Sequence, residues 1–129
     1  MPRYTIVHLT PPQSVIETGR FSDENDAAAY ADASFGTPAA AAARGFYKAD
    51  AVVAAANPEA LFTSTQNIDA PWTGITPLLK GEDAQRSTSV GDFIVDEAGD
   101  VMFCASCGWD PVTGETAAQI RELAQAFAA

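Results

Sequence analysis

Scarcity limits this chain before any motif does. Among 129 residues there are two cysteines, one histidine and seven basic side chains. Two cysteines are too few for the disulfide framework of a small secreted domain. A zinc site needs about four ligands, and the single histidine, His8, leaves that set short. No stretch approaches the ~20 apolar residues that a membrane helix requires, and no apolar segment follows a basic amino terminus. The expectation is a soluble, cytoplasmic protein with no membrane partner. Neither a basic stripe for nucleic acid nor a glycine-rich phosphate loop is present.

Acid is abundant instead. Seventeen acidic side chains give a formal charge of -10. Such a field repels phosphate backbones and anionic membranes, disfavouring direct nucleic-acid binding, and attracts basic protein surfaces, including those that hold DNA. Solubility alone also accounts for charge of this size. The hydrophobic fraction is 47%, but much of it is alanine, which buries little area per residue, so the core leans on aromatic and β-branched side chains.

The length fits one domain spanning residues 1–129. Alternation from Arg3 to Leu9 predicts a first strand, ended by Pro11-Pro12. Residues 13–21 read as strand or loop. Ser22 or Asp23 caps a helix running to Ala33, with Glu24 and Asp26 in its first turn and Tyr30 as its anchor. Ala39 to Ala43 is a short helix or a loop. Phe46 to Ala54 returns to strand, with Tyr47, Ala49, Ala51 and Val53 on one face. Asn57-Pro58-Glu59 starts a second helix docked by Leu61 and Phe62. A turn-rich connection, 67–86, follows. Phe93 to Cys104 is a hairpin turned at Glu97-Ala-Gly-Asp100. Asp110-Pro111 is expected to break the strand after Trp109, and Thr113 to cap a last helix with an apolar stripe at Ile120, Leu123, Ala124 and Phe127. The sum is an α+β domain: a mostly antiparallel sheet of about four to six strands, with three or so short helices on one face.

Signals concentrate between Arg86 and Trp109. The run Arg86-Ser-Thr-Ser-Val-Gly-Asp92, an apolar strand, Val101-Met-Phe-Cys104, Ser106 and Gly108-Trp109 resembles the signature of the small YodL-like domains of phages, plasmids and mobile elements. The resemblance extends upstream to Glu59-Ala-Leu-Phe62, Asn67 and Asp69-Ala-Pro-Trp72, covering roughly the carboxyl-terminal two thirds of the chain. It implies a small α+β domain of uncharacterised activity, with a role in conflict between mobile elements and their hosts. Cys107 and the alanine-rich segment depart from the pattern.

Each chemical candidate has a plainer reading beside it. Cys104 and Cys107 have redox or metal-ligand spacing, but the first ends a strand, where no helix dipole lowers a thiol pKa, and buried structural thiols are the commoner case. Ser87, Thr88 and Ser89 lack an evident base, since His8 falls in the first strand at what reads as a partly exposed sheet position; turn hydroxyls explain them. Asp92, Asp96, Glu97 and Asp100 cluster by sequence at the hairpin but lack the register of a calcium loop. Arg86 is placed to pair with Asp92. Trp72 and Trp109 are either core residues or anchors for a basic partner.

No catalytic residue, cofactor site or metal ligand is assigned. The functional expectation is a non-enzymatic acidic protein of phage or mobile-element type. It binds a host protein, a DNA-handling or defence complex, as a DNA mimic. Asp92, Asp96, Glu97, Asp100, Trp109 and Trp72 are the candidate contact residues. The alternatives are a virion structural or accessory protein and a thiol-dependent redox switch at Cys104 and Cys107.

Overall fold

The computed structural model of the chain describes residues 1–74 and 76–129, so one residue of the turn-rich connection, Ile75, lies outside the described residues. Six strands form one sheet: β1 (Arg3–Leu9), β2 (Tyr47–Ala54), β3 (Leu78–Gly81), β4 (Phe93–Asp96), β5 (Val101–Ala105) and β6 (Gly108–Val112). Their spatial order is β3-β2-β1-β4-β5-β6, and every neighbouring pair is antiparallel. The central position of β1 explains its composition. Six of its seven residues are buried, as a strand covered on both faces demands.

The two faces are covered differently. Val7 and Leu9 of β1, Phe93 and Val95 of β4, and Phe103 of β5 pack beneath three helices, α2 (Glu24–Ser34), α3 (Ala39–Ala43) and α5 (Gly114–Ala128), through Ala29, Ala33, Ala41, Ile120 and Ala124. Small side chains let these helices approach closely, and the rings of Tyr47, Phe93 and Phe103 fill the space below, with centroids 4.9 and 5.2 Å apart. On the opposite face Tyr4, Ile6, Val53 and Ile94 meet Leu61 of helix α4 (Pro58–Ser64) and the ring of Trp72, which opens a 3-10 turn, Trp72–Gly74.

Local chemistry sets the helix starts. Asp23 caps α2 by accepting the N–H groups of Asn25 and Asp26, and Asn57 caps α4 by accepting from Ala60 with Pro58 in the first turn. Thr113 precedes α5 without a side-chain cap bond. In α2 the fully covered residues are Ala29 and Ala33, while Tyr30 sits at the rim against Phe21.

Several expectations change. Residues read as strand or loop form helix α1 (Gln13–Thr18), which starts after the fixed φ of Pro12 and ends at Gly19, whose left-handed φ of 77° lets its N–H reach the carbonyl of Val15. None of α1 is buried. The 67–86 connection contains β3, short and largely exposed. Asp110-Pro111 does not break the last strand: β6 runs through it as the sheet edge, where the missing N–H of proline faces no partner strand. The face expected to carry Tyr47, Ala49, Ala51 and Val53 is split by a bulge. Ile6 pairs with Ala51 and Val7 with Ala49, which leaves Asp50 as the extra residue and sends the two halves of the set to opposite faces.

Candidate functional site

The Arg86–Asp92 run is a structural knot. Asp92 is fully buried, and its Oδ1 accepts the Leu9 N–H at 2.8 Å while its Oδ2 accepts the Ser89 N–H at 2.8 Å. Arg86 donates to both carboxylate oxygens and, through Nη2, to the Leu9 carbonyl at 3.0 Å. The β1–β4 ladder ends at Val7 and Phe93, so these two side chains serve the backbone groups of Leu9 that lie beyond it. A second set of bonds ties the run to residues 65–72. The Thr65 and Thr88 hydroxyls lie 2.7 Å apart, Ser87 Oγ accepts from the Asn67 N–H, and the Trp72 indole donates to the Arg86 carbonyl at 3.0 Å. Asn67, Trp72 and the Arg86–Asp92 run are thus one unit in space. The hydroxyls of Ser87, Thr88 and Ser89 serve it.

This corrects the expected contact surface. Asp92 cannot meet a partner, because its carboxylate is consumed inside the protein, and Trp72 is 1% exposed. Asp92 also lies at the opposite end of β4 from Asp96, Glu97 and Asp100, which surround the β4–β5 turn. There Asp96 accepts the Asp100 N–H at 2.9 Å, and Glu97 accepts the Arg3 N–H at 2.8 Å. Trp109 is half-buried on β6 opposite Cys104, at the far end of β5 from that turn. Asp96, Glu97 and Asp100 therefore stand together, and Trp109 stands apart.

The cysteines separate as well. Cys104 is buried, and burial first, with the Asp92 carboxylate second, pushes its thiol up to about 11. Cys107 is exposed in the two-residue turn between β5 and β6. Both are free thiols. Among the described residues no three His, Cys, Asp or Glu side chains come together as a metal-binding group.

A site unforeseen in the sequence lies at the β2 edge. Among the described residues β3 pairs only with Ala51, Val52 and Val53, and no strand lies outside the Tyr47–Asp50 half of β2. A groove of about 720 Å³ occupies that place, lined by His8, Lys48, Asp50, Lys80 and Arg86 among others. His8 is not the partly exposed residue expected: it is 2% exposed, and its Nδ1 lies 2.8 Å from Asp50 Oδ2. The bulge brings Asp50 there. A carboxylate only accepts, so Nδ1 carries the proton of the neutral ring and Nε2 presents a lone pair. Nε2 is buried and has no hydrogen-bond partner among the described residues. The signal for this pair was an acid interrupting the apolar run of β2. Its partner could not be read from the sequence, because 42 residues separate the two.

Comparison with known protein families, with characterised proteins and with solved structures gives no match. No helix among the described residues is long and apolar enough to cross a membrane.

Proposed function

We propose that this chain is a non-enzymatic acidic protein of phage or mobile-element type, akin to the YodL-like domains. It binds a basic surface on a host DNA-handling or defence protein, in competition with DNA. One observation carries the reading. Asp26, Asp50 and Asp92 have a cationic partner within 4 Å; among the described residues the other fourteen of the seventeen acidic side chains have none. Folding thus leaves the negative field of the chain largely unneutralised, and such a field steers and orients a basic partner. Asp96, Glu97 and Asp100 at the β4–β5 turn form the contact cluster, and Trp109 is a separate apolar contact.

The test is capture from a host lysate at low salt, repeated at high salt. A DNA-handling protein retained at low salt and released at high salt is the expected outcome. Retention unchanged by salt would sink the acidic-surface mechanism, since screening shortens the reach of exposed charges. Finding the protein instead in purified particles at stoichiometric copy number would favour the virion role.

A further inference from the structure

Beyond the acidic surface, we propose that the groove at the β2 edge binds the hydrogen phosphate anion, with His8 Nε2 accepting a hydrogen bond from its hydroxyl and the Lys48 ammonium meeting one of its oxyanion oxygens. Three facts meet there. First, Nε2 of a side chain that is 2% exposed has no hydrogen-bond partner among the described residues, and His8 borders a groove of about 720 Å³. An unpaired buried acceptor is costly, and a ligand donor would relieve it. Second, the ring is already oriented. Asp50 accepts a hydrogen bond from Nδ1–H at 2.8 Å, which leaves Nε2 of the neutral ring as an acceptor and selects a ligand that carries a donor.

Third, basic side chains, scarce in the chain, are concentrated at the groove. Lys48, Lys80 and Arg86, three of the seven basic side chains, line it against two of the seventeen acidic ones, Asp50 and Glu82. Arg86 is committed to Asp92 and Leu9, and Lys80 Nζ holds the Ala129 carbonyl at 3.0 Å. Lys48 is the available cation: its side chain is 72% exposed and its contact with Asp50 is loose, at 3.7 Å. It is also the cross-strand partner of His8, so both side chains leave the same face of the sheet.

The ligand must therefore offer an oxyanion to an ammonium and an O–H to an imidazole lone pair. Hydrogen phosphate does both at neutral to mildly alkaline pH. Sulfate has no proton, and a phosphate monoester has lost its second proton above roughly pH 6.

Because His8 is the one histidine of the chain, its ring nitrogens give resolved NMR signals without assignment ambiguity. Inorganic phosphate titrated at about pH 8, above the ordinary imidazole range, is expected to shift the Nε2 resonance saturably. Sulfate and O-phosphoserine should bind at least about tenfold more weakly, and Lys48→Ala should weaken phosphate by a similar factor while its amide spectrum stays folded. The proposal is overturned by an Nε2 signal that phosphate does not move, by equal responses to the three anions, or by a Lys48→Ala titration that matches the parent.

Discussion

Asp92 shows what one buried charge does in a small domain. Its carboxylate receives two backbone N–H groups and both arms of Arg86, while burying no area that an apolar residue could not. Removing it leaves the Leu9 and Ser89 N–H groups without their acceptor and takes from the guanidinium its carboxylate partner. Asp92→Ala is expected to lower unfolding free energy by about 3 kcal/mol, measured by urea denaturation. A loss within the ordinary surface range would show that the pair is replaceable by water. Cys104 supplies the second residue-scale expectation. Its thiol is held up at about 11 against a reference of 9.0, so the folded state keeps a proton that the unfolded chain gives up first. The sign follows: this contribution is complete below about pH 9 and is lost as pH rises towards 11. Tyr47, raised chiefly by burial with its hydroxyl on the Gly91 carbonyl at 2.6 Å, acts in the same direction. Stability measured from neutral to alkaline pH should therefore fall only on the alkaline side, more shallowly in Cys104→Ala. Alkylation of the native protein should modify Cys107 rapidly and leave Cys104 intact; equal rates would mean that Cys104 opens to solvent.

At the scale of elements, two glycines mark where backbone approaches backbone. Gly91, at φ 102°, carries the Arg86–Asp92 run beneath the end of α2, where an added Cβ would meet the Ala33 carbonyl and the Leu9 side chain at 3.2 Å. Gly81, at φ 130°, ends β3 with the Asp50 carbonyl 2.5 Å from the Cβ it lacks. Gly91→Ala should cost more than about 1 kcal/mol of global stability, since both φ and space oppose the side chain. Gly81→Ala should raise hydrogen exchange in β3 while sparing β4 and β5. Legibility in the sequence followed the same distinction between local and distant causes. β1, α2, α4, α5 and the β4–β5 hairpin were readable because their signals lie within each segment: side-chain caps at α2 and α4, apolar periods in β1 and α5, and the turn of the hairpin. α1 was not, since a helix that buries nothing has no apolar stripe to reveal it. β6 was obscured by a proline that only an edge position tolerates, and β3 by a pairing set from 25 or more residues away. The candidate site suffered most. Asp92 reads as a surface acid until Arg86 and Leu9 are brought to it, and the His8–Asp50 pair depends on a bulge that sequence periodicity does not encode.

For the whole molecule, the decisive quantity is charge left unpaired by folding. With a formal charge of -10 and few acids near a cation, the protein meets other molecules first through its field. The basic side chains at the β2 edge do not alter this at a distance, because they sit among acids and are screened within about 10 Å at 0.1 M salt. The measurement that tests the proposed binding most directly is the affinity of any host protein so captured as a function of salt, with and without the substitutions Asp96→Asn, Glu97→Gln and Asp100→Asn. Affinity that falls steeply with salt, and a shallower fall in the triple variant, is the result expected of binding through the β4–β5 turn. Affinity independent of salt, or a triple variant that binds as the parent does, would contradict it.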